Sequence, residues 1–331
     1  MDLLGVAAQN LHAPAWLSIA ARVQEALLAS GFPYTSGTLS VRALKIVSVI
    51  VPTVAVASRA ACLGRALDSV LAQKDVRVDP IVVANGPDCH PELVHSLAQR
   101  RDIRLVRRPE AGLASALSAG RALVDAPYFA ELDDDDLLLP GALAARVTRL
   151  DAEPDIDVVV TSGYLRGPGG DVLNVSDISQ CATDPLRAVL DRMWLTPCAG
   201  LFRTETIPAT YFASMPPYLE WTYLAVLLSL KRRIAFLDLP TFVYSLDTPR
   251  SLSKSCEYVR GQPAALQTVL RLPLPADVRQ KLHHKYVAAL HAASVSGLGQ
   301  GRRAEAWRWH LRTLRHLHGW RYLTYTRHLL S

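Results

Sequence analysis

Apolar positions fall into short continuous runs separated by stretches of helical character. Ile46-Val47-Ser48-Val49-Ile50-Val51 is a β-branched run of the kind buried on both faces of a sheet. A helical stretch from about Ala60 to Ala72 follows. A second apolar strand, Pro80 to Ala84, ends at the turn Asn85-Gly86-Pro87-Asp88. Pro91 to Arg101 reads as a helix with proline in its first turn. Ile103 to Val106 predicts a third strand, Gly112 to Val124 an Ala-rich helix, and Tyr128 to Leu132 a fourth strand. This alternation predicts βαβ units, hence an α/β fold with a mostly parallel, Rossmann-like sheet covered by helices. Ligands of such sheets bind beyond the carboxyl ends of the strands. The loops after Val51, Ala84, Val106 and Leu132 are therefore the ones to inspect.

Beyond Leu150 the rhythm changes. Ile156 to Thr161 predicts a strand, and Arg166 to Asp171 a hairpin tip. Asp184 to Trp194 and Leu219 to Leu230 predict helices, and Ile234 to Leu237 and Thr241 to Ser245 two short strands. From Cys256 onward only helices are expected. At the other end, Ala15 to Ala29 predicts a helix stopped by Gly31 and Pro33. The expected organisation is a helical extension over 1–44, a catalytic unit over 45–255 and a basic helical region over 256–331.

Composition narrows the classes. Half of the 331 residues are hydrophobic and 20% are charged, which excludes a disordered chain. Five cysteines without a Cys-x-x-Cys pair point to free thiols rather than a disulfide scaffold or a structural zinc site. The formal net charge is +6. Ser255 to Ser331 holds 12 Lys+Arg against 3 Asp+Glu, or +9, so the remainder carries −3. A mildly acidic body argues against nucleic acid as a partner. Met1-Asp2-Leu3-Leu4-Gly5 lacks the basic start of a secretory signal, and no apolar stretch reaches the roughly 20 residues of a membrane span. A cytoplasmic protein, or one peripheral on the inner face of a membrane, is expected.

The sequence has no Gly-x-Gly-x-x-Gly after the first strand and no Walker Gly-Lys-Ser/Thr, so ordinary dinucleotide and P-loop readings lose ground. The fourth strand instead runs into Asp133-Asp134-Asp135-Asp136. A capping role at the helix near Pro140 accounts for one or two of these acids. It does not account for four at a ligand-binding edge. Alternate carboxylates, Asp133 and Asp135, placed in one cleft suit a hard divalent cation, Mg²⁺ or Mn²⁺, of the kind that bridges to phosphates.

Several segments resemble glycosyltransferase family 2, of the GT-A fold. Val47 to Thr53 (VSVIVPT) resembles its first strand and Pro-Thr turn, and Leu63 to Gln73 (LGRALDSVLAQ) its first helix. Gly112 to Gly120 resembles the helix before the metal site, and Leu132 to Leu143 (LDDDDLLLPGAL) the Asp-x-Asp segment. Leu219-Glu220-Trp221 resembles the element that carries the catalytic base. Ala235 to Asp238, with Tyr244 and Ser251-Leu252-Ser253, resembles the closing segment. The match covers about two thirds of the chain.

The resemblance implies an inverting transfer of a sugar from a nucleotide-diphosphate donor, with a UDP-sugar as default, to an acceptor hydroxyl. It implies a Mn²⁺ or Mg²⁺ ion on Asp133 and Asp135, and donor contacts from Pro52, Thr53, Arg59, Asn85, Asp133 and Asp134. Glu220 is the implied base; the competing reading is a helix N-terminal acid favoured by the dipole. Trp221 either shapes the acceptor pocket or packs in the core. Arg59 either reaches a phosphate or is solvated, and Asn85 either reads a base or ribose edge or forms a turn. Departures from the family pattern stand at Ala84, where an acid is common, at Leu117, where a basic residue is common, and at Asp247, near a frequent histidine of the metal site. The acceptor is expected to be a glycan, a lipid-linked or a protein molecule, in bacterial surface polysaccharide or glycoconjugate synthesis. Two other readings remain: a metal-dependent nucleotidyltransferase, and a non-catalytic glycan-binding or scaffold protein.

In the basic tail, Arg302 to His318 predicts an amphipathic helix with Ala304, Trp307, Leu311 and Leu314 on one face and Arg308, Arg312 and Arg315 on another. Packing on the catalytic unit with solvated arginines, and contact with an anionic membrane, are both open readings.

Overall fold

The computed structural model describes residues 44–248 and 255–330. The expected prefix up to residue 43 and the Ser251-Leu252-Ser253 element lie outside the described residues.

The chain begins β1 (Ile46–Thr53), α1 (Ala60–Leu71), β2 (Arg77–Asn85), α2 (Pro91–Gln99), β3 (Arg104–Arg108), α3 (Leu113–Arg121), β4 (Tyr128–Glu131), β5 (Leu137–Leu138) and α4 (Ala142–Ala152). It continues with β6 (Val158–Gly167), β7 (Gly170–Leu173), α5 (Pro185–Asp191), β8 (Gly200–Arg203), α6 (Thr210–Ala213), α7 (Glu220–Lys231) and β9 (Ile234–Ser245). Helices α8 (Cys256–Leu270), α9 (Ala276–Gly299), α10 (Arg303–Leu314) and α11 (Thr326–Leu330) complete it, with a 3-10 helix at Leu317–Tyr325.

The nine strands form one mixed sheet in the order β3-β2-β1-β4-β8-β6-β9-β5, with β7 hairpinned onto β6. The four strands β3, β2, β1 and β4 are parallel, as their continuous apolar runs predict. Beyond β4 the sheet turns antiparallel through β8, while β9 lies parallel to β6. The two short strands expected at Ile234–Leu237 and Thr241–Ser245 are one strand, β9. Its register against β6 shifts next to Pro240, which cannot donate a ladder hydrogen bond.

The acidic run dictates how this sheet must bend. Strands β4 and β5 stand four places apart in the order, about 19 Å in a flat sheet at the usual strand spacing. Only residues 132–136 join them, and the Asp136 N–H bonds back to the Asp133 carbonyl at 3.1 Å, a tight turn. A turned five-residue link cannot span that width. The sheet therefore curls, bringing β9 and β5 over toward β1 and β4. Ser69 of α1 reinforces the closure by accepting the Leu138 N–H at 3.1 Å.

One core runs through both halves. Residues such as Val49, Ile50, Phe129 and Leu201 on the sheet belong to the same buried cluster as Leu266, Val278, Leu282 and Val287 of α8 and α9. The α10 helix ends at Leu314, short of the expected His318, and its buried face is Ala306, His310 and Thr313. Ala304 and Leu311, expected on the packed face, are exposed. Inside, Thr326 meets His310 Nε2 and the Trp309 carbonyl accepts the Thr313 hydroxyl, at 2.8 and 2.9 Å.

Helix α3 owes its close seat on β1 to Gly120. A methyl group there would stand 2.4 Å from Ile50 Cγ2 and 3.3 Å from Val83. Gly120→Ala is expected to destabilise the fold by about 1–3 kcal/mol through overpacking, read as a lower denaturant midpoint with an unchanged slope.

Candidate active site

Parallel pairing brings the ends of β1, β2 and β4 to one sheet edge, and the antiparallel β8 starts at that same edge. Thr53 ends β1 there. Its hydroxyl donates to Asp134 Oδ2 at 2.5 Å and accepts the Ala55 N–H at 3.0 Å. Pro52 is buried beside it. Asn85 ends β2 and is also buried; its amide donates to the Thr53 carbonyl at 3.0 Å and accepts the Gly112 N–H at 3.1 Å. Both ends of that side chain thus tie three loops together, whatever else it contacts.

Arg59 sits at the end of the loop after β1 and reaches across to the acidic turn. Its Nε donates to Asp134 at 2.9 Å, and its Nη2 approaches Asp135 at 3.1 Å as well as Asp134. Burial works against its charge, but Asp134 and Asp135 outweigh burial and hold its proton more firmly than usual. It is paired, not solvated.

Carboxylate oxygens of Asp133, Asp135 and Asp136 lie within 4.8 Å of one another. Burial and the neighbouring charge of Asp135 push the Asp133 pKa up to about 7. Burial first, then Asp133, raises Asp136 well above the ordinary range, and the same two causes raise Glu131. Asp134 is also raised by burial, against the pull of Arg59. The turn is therefore short of positive charge. Hard oxygen donors at this spacing, with one arginine to offset them, fit a divalent cation such as Mg²⁺ or Mn²⁺. Among the described residues, this is the cluster with that donor set, and Asp247 is not part of it.

Other groups brace the turn. The Ser245 N–H donates to Asp136 at 2.8 Å and its hydroxyl to the Asp135 carbonyl at 2.7 Å. The Cys198 thiol donates to Asp136 at 3.3 Å, and its N–H to Glu131 at the same distance. Cys198 holds a left-handed backbone, φ +62°, which a side chain adopts only under constraint. Tyr244 stands among the acids, its phenol pKa raised by burial and then by Asp133 and Asp136. Glu131, Cys198 and Ser245 escape the sequence reading, which takes Asp136 for a helix cap only. Glu131 alone left a signal there: an acid inside the otherwise apolar strand Tyr128 to Leu132.

Glu220 opens α7 and is buried. Burial raises its pKa, and the backbone N–H groups of Glu220 and Tyr218 partly offset this. None of the aspartates contributes. Tyr218 has φ +73°, and its ring lies against α8, where a methyl at Gly261 would collide with it. Trp221 packs against the core while its indole N–H is buried without a partner.

Residues 48–192 match the model of glycosyl transferase family 2. Over that stretch the chain is similar to the family. An uncharacterised glycosyltransferase of Rickettsia prowazekii is 30% identical over 36% of this chain and 36% of its own length. Another from Rickettsia typhi is 31% identical over the same shares. The chain thus spans about a third of the length of these curated relatives. Among solved structures, S. aureus TarS 1-349 in complex with UDP-GlcNAc is 13% identical with a TM-score of 0.52, covering 75% of this chain and 72% of that one. The TarS 1-349 complex with UDP is 15% identical with a TM-score of 0.50, covering 76% and 81%. The fold is accordingly GT-A-like, and the acidic turn lies within the residues that match the family model, beyond the end of β4.

Protons and a cation compete for the same oxygens. The Mn²⁺-induced rise in melting temperature should therefore be larger at about pH 8 than at about pH 6, with apparent affinity roughly tenfold weaker one unit below the Asp133 pKa of about 7. The measured quantity is the cation-induced shift at each pH. The melting point alone is confounded, because the tail histidines with depressed pKa values destabilise as pH falls, whereas the raised acids do the reverse. An equal shift at both pH values would refute the assignment.

Proposed function

We propose that this chain is a cation-dependent glycosyltransferase that moves a sugar from a nucleotide-diphosphate donor to an acceptor hydroxyl with inversion. The observation that carries the reading is the braced acidic turn, Asp133 to Asp136, set beside Thr53 and Arg59 at the strand ends, within the residues that match the family 2 model. A solved neighbour of the same fold, TarS, is described in complex with UDP-GlcNAc, which supports a UDP-sugar as the first donor to try.

Asp133 and Asp135 would hold the cation, with Asp136 behind them. Bound there, a divalent cation would supply positive charge to the diphosphate as it leaves. Arg59, already drawn to the same turn, is placed to share that anionic load. Pro52, Thr53, Asn85 and Asp134 shape the donor end of the cleft. Glu220 accepts the proton of the attacking hydroxyl. Its burial raises its proton affinity, which moves it toward the range a general base needs near neutral pH. Trp221 borders the acceptor side, where its unpartnered indole N–H offers a hydrogen bond. The acceptor is a glycan, lipid-linked or protein molecule, in keeping with surface polysaccharide or glycoconjugate synthesis.

Sugar nucleotides with and without Mn²⁺ are the direct test, read as thermal stabilisation and as donor turnover. Asp135→Asn and Glu220→Gln should each lower turnover by about a hundredfold or more. Both should melt within a few degrees of the parent. Near-normal turnover in either variant would remove that residue from its role. Pyrophosphate release from a nucleoside triphosphate would instead assign nucleotidyl transfer.

A further inference from the structure

The 3-10 helix at Leu317–Tyr325 has a period of three, so every third residue shares a face. One row is Leu317, Trp320 and Leu323, with exposures of 81%, 63% and 46%. A second row faces inward. Gly319 is buried, so close to α10 that a methyl there would collide with the Thr313 carbonyl. Tyr322 stacks on His291 of α9 at 4.0 Å between ring centres, and Tyr325 meets the same ring edge-on at 4.8 Å. His316, at the head of that row, meets His283 at 5.0 Å. The inner row locks the element down, and the outer row presents two leucines and a tryptophan to solvent in a fixed geometry.

Exposed cations precede and follow this apolar row along the chain. Arg308, Arg312 and Arg315 are exposed on α10, and Arg321 and Arg327 follow. None of the five pairs with an acid among the described residues. The single acid of the segment, Glu305, is drawn off by Arg260 and Arg302. Residues 302–330 hold seven arginines and one glutamate, a surplus of +6. That equals the formal charge of the whole protein.

We propose that this face docks the protein onto an anionic phospholipid surface, with Leu317, Trp320 and Leu323 entering the headgroup boundary and the arginines meeting lipid phosphates. Leucines beside an interfacial tryptophan, flanked along the chain by arginines, match the chemistry of a helix lying in the membrane plane. Charge argues against a second copy of the chain, since two such faces would oppose like surpluses. Nucleic acid would engage the arginines but gives no use to an exposed leucine row. No helix among the described residues is long and apolar enough to cross a membrane, so this contact is lateral. The inference stands apart from the sugar-transfer reading and is tested without any transfer assay.

The experiment is co-sedimentation of the full chain with vesicles of phosphatidylcholine alone and of phosphatidylcholine mixed with phosphatidylglycerol, at low and high salt. Binding is expected with the mixed vesicles and should weaken as salt rises. Leu317→Ser with Trp320→Ser and Leu323→Ser should cut partitioning roughly tenfold or more. Arg315→Glu with Arg321→Glu should cut it about thirtyfold or more. These positions are exposed, and circular dichroism of each variant checks that the helices persist. No binding to mixed vesicles at low salt overturns the proposal. So does binding that both folded variants retain in full, or a concentration-dependent dimer that the leucine variant dissolves in the absence of vesicles.

Discussion

Five carboxyl groups crowd into the six residues from Glu131 to Asp136, at a sheet edge where little water reaches them. Left alone, such a set would repel itself apart or take up protons. The structure does some of each. Arg59 and Thr53 neutralise or bond Asp134, the backbone and hydroxyl of Ser245 hold Asp135 and Asp136, and Cys198 reaches both Asp136 and Glu131. The remaining imbalance appears as raised proton affinity at Glu131, Asp133 and Asp136. Bracing costs backbone strain, and three of the five described non-glycine residues with positive φ, Ala55, Cys198 and Tyr218, lie beside this turn or beside Glu220. Hard oxygen donors crowded this closely fit a divalent cation.

The fold depends on the same six residues geometrically. Five of them, residues 132–136, form the link between β4 and β5, and its shortness forces the sheet to curl. The curl carries the end of β9 onto the turn, which is how Ser245, more than a hundred residues downstream, comes to cap Asp136. It also allows Gln73, two residues past the end of α1, to bond the Leu139 carbonyl at 2.9 Å, locking the far side of the link. Topology and site chemistry are therefore one constraint: lengthening the link would relax the curl and also withdraw the groups that hold the carboxylates.

The sequence makes some of this legible and hides the rest for identifiable reasons. Strands β1, β2 and β4 are read directly because parallel strands buried on both faces need unbroken apolar runs. Strand β5 has two residues and β8 four, too few for any periodicity to register. Strand β9 reads as two pieces because Asp238 and Pro240 interrupt its pattern, yet pairing with β6 carries it through. Asp133 and Asp135 stand out because four adjacent acids are rare beyond a buried strand. Asp136 looks like a helix cap from sequence and proves to be held by a strand and a thiol. Cys198 gives no sequence signal at all, since its partners are 62 and 67 residues away and meet it only through the β4–β8 pairing. In the tail, a helical period places Leu311 inward, whereas α10 turns His310 and Thr313 inward, where Thr326 meets His310 Nε2 and the Trp309 carbonyl accepts the Thr313 hydroxyl, while His310 Nδ1 is buried without a partner.

The sheet and the tail helices also share a device at Glu220. Its neighbour Tyr218 holds a strained backbone whose N–H faces the Glu220 carboxylate, and the Tyr218 ring rests on Gly261 and meets Tyr258 of α8 at 5.9 Å. A side chain at 261 would displace that ring. Helix α8 is in turn tied to α10 through Arg260 and Glu305 at 2.7 Å. Glu220, the base proposed above, is thus seated by the first tail helix, and that helix is fastened to the one bearing the exposed arginines. Glu220 and the basic face are linked through three contacts, Glu220 with Tyr218, Tyr218 with α8 and α8 with α10, which gives the tail a mechanical reason to belong to the same core as the sheet.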